Sequence, residues 1–228
     1  MKNLKQAQLE SASKKWNFTA SVRTNPETYD LNLSDNGKPS LSWHLPNYSG
    51  ILSHPTFSGV TESQKSYIMG IQLLEFTIKQ ARFEIDCVNK VAANLSQGQY
   101  NFTISDEFKI DALKIYTDEG YHALFTQKIS DQIREHYKIE FGELDQFIEP
   151  HFQKLYSLKD NYDKKYAYLA DIAIVLVSEN QIVADISDEM KNIVHEPIRL
   201  MFKDHMIDET FHAKYFCKTS SHNMASII

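Results

Sequence analysis

The segment Asp118-Glu119-Gly120-Tyr121-His122-Ala123 recurs, almost residue for residue, as Asp208-Glu209-Thr210-Phe211-His212-Ala213. Each copy sets a Glu and a His three positions apart. On a helix, positions i and i+3 share a face, so the carboxylate and the imidazole can reach the same metal ion. One such pair is ordinarily an exposed ion pair or a coincidence. Two pairs in well-separated segments require two helices whose faces meet, which is the pattern of a carboxylate-rich dinuclear site inside a helical bundle.

The bulk of the chain permits that fold. Its 228 residues are enough for one domain with a substantial core. Only 7 Gly and 6 Pro are present, which suits long uninterrupted helices. A net charge of −6 argues against a nucleic-acid-binding surface. The longest apolar run, Ile172 to Val177, stops at Ser178-Glu179-Asn180, far short of the ~20 residues a membrane span needs. Met1 to Ser13 is polar and mixed in charge, unlike a secretory signal. Cys87 and Cys217 have no metal-type spacing and read as reduced thiols. The expected setting is cytoplasmic, with neither membrane nor nucleic acid as partner.

A first long helix is expected from Thr61 to about Leu95, opened by a Thr61/Gln64 capping box and closed at Ser96-Gln97-Gly98-Gln99. A second starts at Ser105-Asp106, which supply a cap and a favourable charge, and runs through Glu119 and His122 to about His136. A shorter helical stretch is expected around Pro150 to Leu158. A third long helix covers about Asn161 to Asp185, and residues 187–194 read as a connection or a short helix. The fourth begins at His195-Glu196-Pro197, where Pro is tolerated, and ends near Phe216. Residues 1–60 carry turn chemistry at Asp35 to Ser40, Pro46-Asn47 and Ser49-Gly50, and read as an irregular arm. Trp16, Trp43, Leu45, Ile51, Leu52 and Phe57 are its expected apolar anchors. The fold class is all-α: one domain with an N-terminal arm (1–60), a ferritin-like four-helix bundle (61–216) and a tail (217–228).

At ~1.5 Å rise per residue, Glu84 and Glu119 lie at depths that agree within about one turn, and the other hairpin brings Glu179 toward His205 in the same way. The candidate metal set is therefore Glu84, Glu119, His122, Glu179, Glu209 and His212, with His205 as a seventh. His205, Glu209 and His212 fall within an arc of about 60° at ~100° per residue. Glu75 and Asp86 are alternatives to Glu84, which depth favours. For Glu179, set among apolar residues, the alternative is a face turned to solvent. His205 is otherwise a solvated or supporting histidine. Hard carboxylates with imidazoles suit iron or manganese. Asp118 and Asp208 are candidates to accept hydrogen bonds from ligand imidazoles. Gly120 makes room for substrate or for a close helix contact. Tyr121 and Phe211 read as core. His44, His54, His136, His151, His195 and His222 show no ligand spacing, and Cys87, one turn past Glu84, reads as a small buried hydrophobe, with lining the site as the alternative. No catalytic residue emerges beyond the ligands.

The set Glu84, Glu119-x-x-His122, Glu179, His205-x-x-x-Glu209-x-x-His212 resembles the AurF-type para-aminobenzoate N-oxygenases. The segment Leu52-Ser53-His54-Pro55-Thr56-Phe57, followed by Ser63-Gln64, is similar to the stretch before that family's first metal-bearing helix. The likeness spans about residues 40–216. It implies a dinuclear iron oxygenase (Fe2+/Fe3+) that takes dioxygen, a small amine such as an arylamine, and electrons from an external donor, giving hydroxylamine or nitro products. The family usually continues with further helical sequence after its last ligand helix, whereas this chain ends at Ile228. The alternatives are therefore an inactive truncated member, or a ferritin-like metal-binding or ferroxidase protein. Self-association as a homodimer stays open.

Overall fold

The computed structural model describes residues 15–24, 29–33, 43–45, 48–140, 142–163 and 166–227. Helix α1 (Glu62–Phe83) passes through a π-helical turn (Glu84–Val88) into α2 (Asn89–Ser96). Then follow α3 (Asp106–Tyr137), α4 (Asp145–Ser157), a 3₁₀ turn (Leu158–Asn161), α5 (Ala167–Asn192) and α6 (Glu196–Ile227). Among the described residues there is no named strand, and the fold is an all-α, ferritin-like bundle. No helix among them is long and apolar enough to cross a membrane.

The helix starts follow local chemistry. Thr61 Oγ1 accepts from the Gln64 N–H while the Gln64 side chain accepts from the Thr61 N–H, the reciprocal capping box. Ser105 Oγ accepts from the Phe108 N–H. Other boundaries differ from expectation. Helix α5 begins at Ala167 and absorbs most of 187–194, because Ile186 and Glu189 near its end are buried against the arm and the bundle. Helix α6 continues past Phe216 to Ile227. Helix α4 starts at Asp145, with Pro150 inside it. That proline forfeits one backbone hydrogen bond, and burial of Ile148 and Phe152 on the same helix offsets the loss.

Helix α1 packs on α3 and α5 on α6, giving two hairpins that meet where α3 touches α6. The core divides into two apolar clusters. One holds Val88, Leu95, Ile115, Phe152, Val175 and Tyr215; the other holds Leu73, Phe125, Ile133, Ile186 and Phe202. Each of the four long helices runs from one cluster to the other. Between the clusters they carry Glu84, Glu119, Glu179 and Glu209.

The arm lies on the bundle, as expected, though not by all the expected side chains. Trp43 is fully buried and its indole N–H donates to Tyr137 Oη at 2.7 Å. The Val194 N–H donates to Trp43 O, and the Leu45 N–H to Asn192 O, each at 2.8 Å. Leu45 thus anchors through its backbone while its side chain is exposed, and Ile51, in a turn, is exposed too. The Leu31 N–H donates to Gln132 Oε1, whose amide donates back to Tyr29 O. The turns expected at 35–40 and 46–47 lie outside the described residues.

Gly70 makes the Trp43 seat possible. A Cβ there would meet Tyr137 Cε2 at 2.3 Å and Trp43 Nε1 at 3.0 Å. Hydrogen bonds to Trp43 and Ser66 pin that tyrosine. Gly70→Ala is expected to cost about 1–3 kcal/mol in overpacking, outweighing the roughly 1 kcal/mol of helix propensity gained. Urea unfolding measures it, and a variant as stable as the parent would show that Tyr137 yields freely.

Candidate metal centre

Glu84, Glu119, His122, Glu179, His205, Glu209 and His212 are all fully buried and converge in the layer between the two clusters. Glu209 is their hub. Its Oε1 lies 2.9 Å from His205 Nε2, 3.2 Å from His122 Nδ1 and 3.5 Å from His212 Nδ1. Glu84 Oε1 stands 3.0 Å from His205 Nε2, Glu119 Oε1 2.7 Å from His212 Nδ1, and Glu179 Oε2 3.9 Å from His212 Nδ1. Two overlapping groups of donor atoms could each hold one ion: Glu84, His122, His205 and Glu209, and Glu119, His122, Glu209 and His212. Glu179 borders the second group. Its alternative, a solvent-facing position, does not hold, since it is fully buried. Asp86, an alternative to Glu84, instead binds Arg82 and Tyr156 at the surface, and Glu75 pairs with Lys79.

The atoms are close but poorly arranged as hydrogen bonds. Both carboxylate oxygens of Glu84, Glu119 and Glu179, and Nδ1 of His122 and His212, lack a hydrogen-bond partner of acceptable geometry despite complete burial. Buried polar atoms in native folds are normally satisfied. A cluster of lone pairs aimed at a common centre is what cations would satisfy. Four glutamates carry −4 when ionised, the charge that two divalent cations would cancel with neutral imidazoles.

Asp118 and Asp208 back the imidazoles, and they do so crosswise. An Asp four residues before a His could serve its own helix. Instead His122 on α3 donates from Nε2 to Asp208 Oδ2 on α6 at 3.0 Å, and His212 on α6 faces Asp118 Oδ2 on α3 at 3.4 Å. With its Nε2 proton held by carboxylate, each imidazole turns the Nδ1 lone pair toward the cluster. His205 is mounted the other way round, with Nε2 inward, and among the described residues no aspartate backs its Nδ1. The arm completes the layer: Trp16 Nε1 donates to both oxygens of Asp118, and Ser21 donates to Asp208. Trp16 was legible only as an apolar anchor, and nothing in the sequence singled out Ser21. The π-helical turn beginning at Glu84, where the Asn89 N–H donates to Glu84 O, also had no sequence signal. Such turns recur at functional sites.

Gly120 fills neither expected role: a Cβ there would meet nothing within 4 Å among the described residues, and the position is exposed. Phe211 and Cys87 are buried in the first apolar cluster, while Tyr121 is partly buried beside the second. His44 is structural, buried with its Nε2 2.8 Å from Glu189.

Burial shapes the titration of the metal-free cluster. It pushes the Glu84 carboxyl up to about 7, with the nearby His205 pulling the other way. Burial, reinforced by the charges of Glu209 and Glu119, drives Glu179 well above the usual carboxylate range. Glu209 goes well below that range: burial opposes ionisation, but the three surrounding imidazoles outweigh it. His122 and His212 are raised well above the ordinary histidine value, since their carboxylate neighbours overcome the penalty of burial.

The helical bundle and its central carboxylate–imidazole layer place the protein in the ferritin-like class that builds dinuclear sites from facing helices. The chain matches the family model described as P-aminobenzoate N-oxygenase AurF over residues 8–227, and it belongs to that family of di-iron oxygenase enzymes. Among curated proteins, none matches it.

A cation entering the cluster must displace the proton that Glu84 holds below about pH 7 and the protons on Glu179, His122 and His212. Anaerobic ferrous-ion affinity is therefore expected to rise as pH increases through neutrality, with proton release. Glu209, already ionised, adds nothing to that slope. Titration at pH 6.0, 7.0 and 8.0 in a weakly buffered indicator solution measures both, and a pH-independent affinity would mean that the cluster holds no such protons.

Proposed function

We propose that this protein is a dinuclear non-haem iron oxygenase that N-oxygenates an arylamine or similar small amine with dioxygen. The observation that carries the reading is the fully buried layer of Glu84, Glu119, His122, Glu179, His205, Glu209 and His212, whose inward oxygens and nitrogens largely lack hydrogen-bond partners. These seven side chains would hold two irons, with Glu209 and His122 common to both donor groups. When bound, the irons supply dioxygen activation: one oxygen atom goes to the amine nitrogen and the other leaves as water, consuming two electrons and two protons. An external donor provides the electrons, and the setting is cytoplasmic.

The protein's own part is positioning and exclusion of water. The two apolar clusters seal the layer above and below. A cavity of about 370 Å³ lies between the segment after Glu84, α4 and α5, lined by Cys87, Ile174 and Val175, with the charged Asp86, Lys90 and Asp171 also on its wall. Cys87 lies one turn beyond Glu84, and Val175 one turn before Glu179, so the cavity wall is built from the same helical segments that carry two of the carboxylates. Its volume suits a molecule of about one ring. The His205 imidazole favours oxygenation over storage, because a further neutral donor holds iron in place.

Wild-type protein is expected to bind about two irons per chain. His205→Ala should keep about one, in the group formed by Glu119, His122, Glu209 and His212. Glu209→Ala should keep none. Iron analysis after anaerobic reconstitution reads this, and two irons retained in Glu209→Ala would remove Glu209 from the set.

Turnover is tested with reductant, ¹⁸O-labelled dioxygen and a panel of arylamines that includes para-aminobenzoate. Labelled hydroxylamino or nitro product supports N-oxygenation, whereas iron oxidation without amine product favours the ferroxidase alternative. Ile174→Trp, which fills the cavity, should lower turnover at least tenfold at unchanged iron content, by the steric loss of a near-attack position. Undiminished turnover would place the substrate elsewhere.

A further inference from the structure

We propose that the arm segment carrying Trp16 and Ser21 is a positioning clasp for the metal centre, acting on His212 and His122 through the two crossed aspartates. The inference rests on the ligand set proposed above. The Trp16 indole N–H sits astride Asp118, 3.0 Å from Oδ1 and 2.8 Å from Oδ2. The carboxylate torsion of an Asp is broad and roughly two-fold. A donor centred between its oxygens fixes the plane, and Oδ2 is left facing His212 Nε2 at 3.4 Å. Ser21 works differently. Its N–H, at 3.1 Å, and its hydroxyl both donate to Asp208 Oδ2, the same oxygen that accepts from His122 Nε2 at 3.0 Å. Three donors on one oxygen leave less of its electron density for the imidazole.

Asp118 and Asp208 belong to α3 and α6, the helices that carry the two Glu-x-x-His pairs. The short helix Ser21–Thr24 lies across the seam between those two helices, touching both. The clasp thus spans the α3–α6 seam, whereas the cavity lies between α2, α4 and α5. Trp16 and Ser21 are positioning residues: neither touches the donor cluster, and each acts through an aspartate.

The consequence is electronic as well as geometric. A carboxylate relieved of an arm donor accepts more strongly from its histidine, and the more electron-rich imidazole favours ferric over ferrous iron. Trp16→Phe keeps an aromatic ring in place but removes the pyrrole ring and its N–H; Ser21→Ala removes one donor and Ser21→Thr restores it. Each is compared with wild type and Asp118→Asn after anaerobic iron loading, with far-UV circular dichroism to check the fold. The readouts are ferrous-ion affinity and the midpoint potential of the loaded centre. Trp16→Phe is expected to weaken affinity about threefold to tenfold, less than the 10- to 100-fold of losing a direct partner of a ligand. Trp16→Phe and Ser21→Ala should both lower the potential, and Ser21→Thr should return it to the wild-type value. If Trp16→Phe does not fold, the Ser21 pair decides alone. Wild-type affinity and potential in Trp16→Phe and Ser21→Ala, beside weakened loading in Asp118→Asn, would overturn the clasp and leave the metal centre standing. A wild-type chain that takes up no iron would overturn both.

Discussion

Glu84, Glu119, Glu179 and Glu209 are buried side by side, and the ion pairs they make run to histidines. Removing an ionised carboxylate from water costs several kcal/mol even after relaxation, and attraction between partners repays it only with good geometry and satisfied lone pairs. Here the lone pairs are aimed inward and left over. Without cations the layer relieves itself by moving protons: Glu84 and Glu179 hold theirs, and Glu209 gives up its own to the imidazoles. Two divalent cations would remove the conflict at once. The apolar core is split around that layer rather than gathered into one body.

The two sides of the layer do different work. On the α3–α6 side, crossed histidine–aspartate pairs tie one hairpin to the other, and the arm covers the aspartates. Each crossed pair fixes a tautomer and a helix position together, so that the same bond orients a donor atom and holds the bundle closed. On the other side, Glu84 and Glu179 come from segments without a paired His, and a cavity lined by Cys87 and Val175 lies between the segment after Glu84, α4 and α5.

The two donor groups are not equivalent. His205 approaches with Nε2 and, among the described residues, has no aspartate behind it, whereas His122 and His212 approach with Nδ1 and have one each. Even those two differ. Asp208 is held below its ordinary value because hydrogen bonds from His122 and Ser21 outweigh its burial, while burial prevails at Asp118 and raises it. The near-repeat of the two Glu-x-x-His segments therefore does not make a symmetric site.

The local features were legible in the sequence. Glu119/His122 and Glu209/His212 share a face because helical geometry alone puts i and i+3 together. The Thr61–Gln64 box and the Ser105 cap are contacts among neighbours in the chain. Depth counting also brought Glu84 and Glu179 to the same layer, since rise per residue is nearly constant along a helix. What lay beyond those rules needed partners from distant segments. Whether Asp118 serves its own helix or the opposite one depends on how α3 packs on α6, and Trp16 reaches Asp118 only because the arm folds back across that seam. The extra residue in the turn after Glu84 and the extension of α5 to Asn192 are likewise set by neighbouring packing, which no local propensity encodes. The sequence by itself determined which side chains could bind metal and on which helical faces they stand. Only the tertiary structure decided which aspartate holds which histidine and which arm residues back those aspartates, because those outcomes belong to contacts between segments rather than to any one of them.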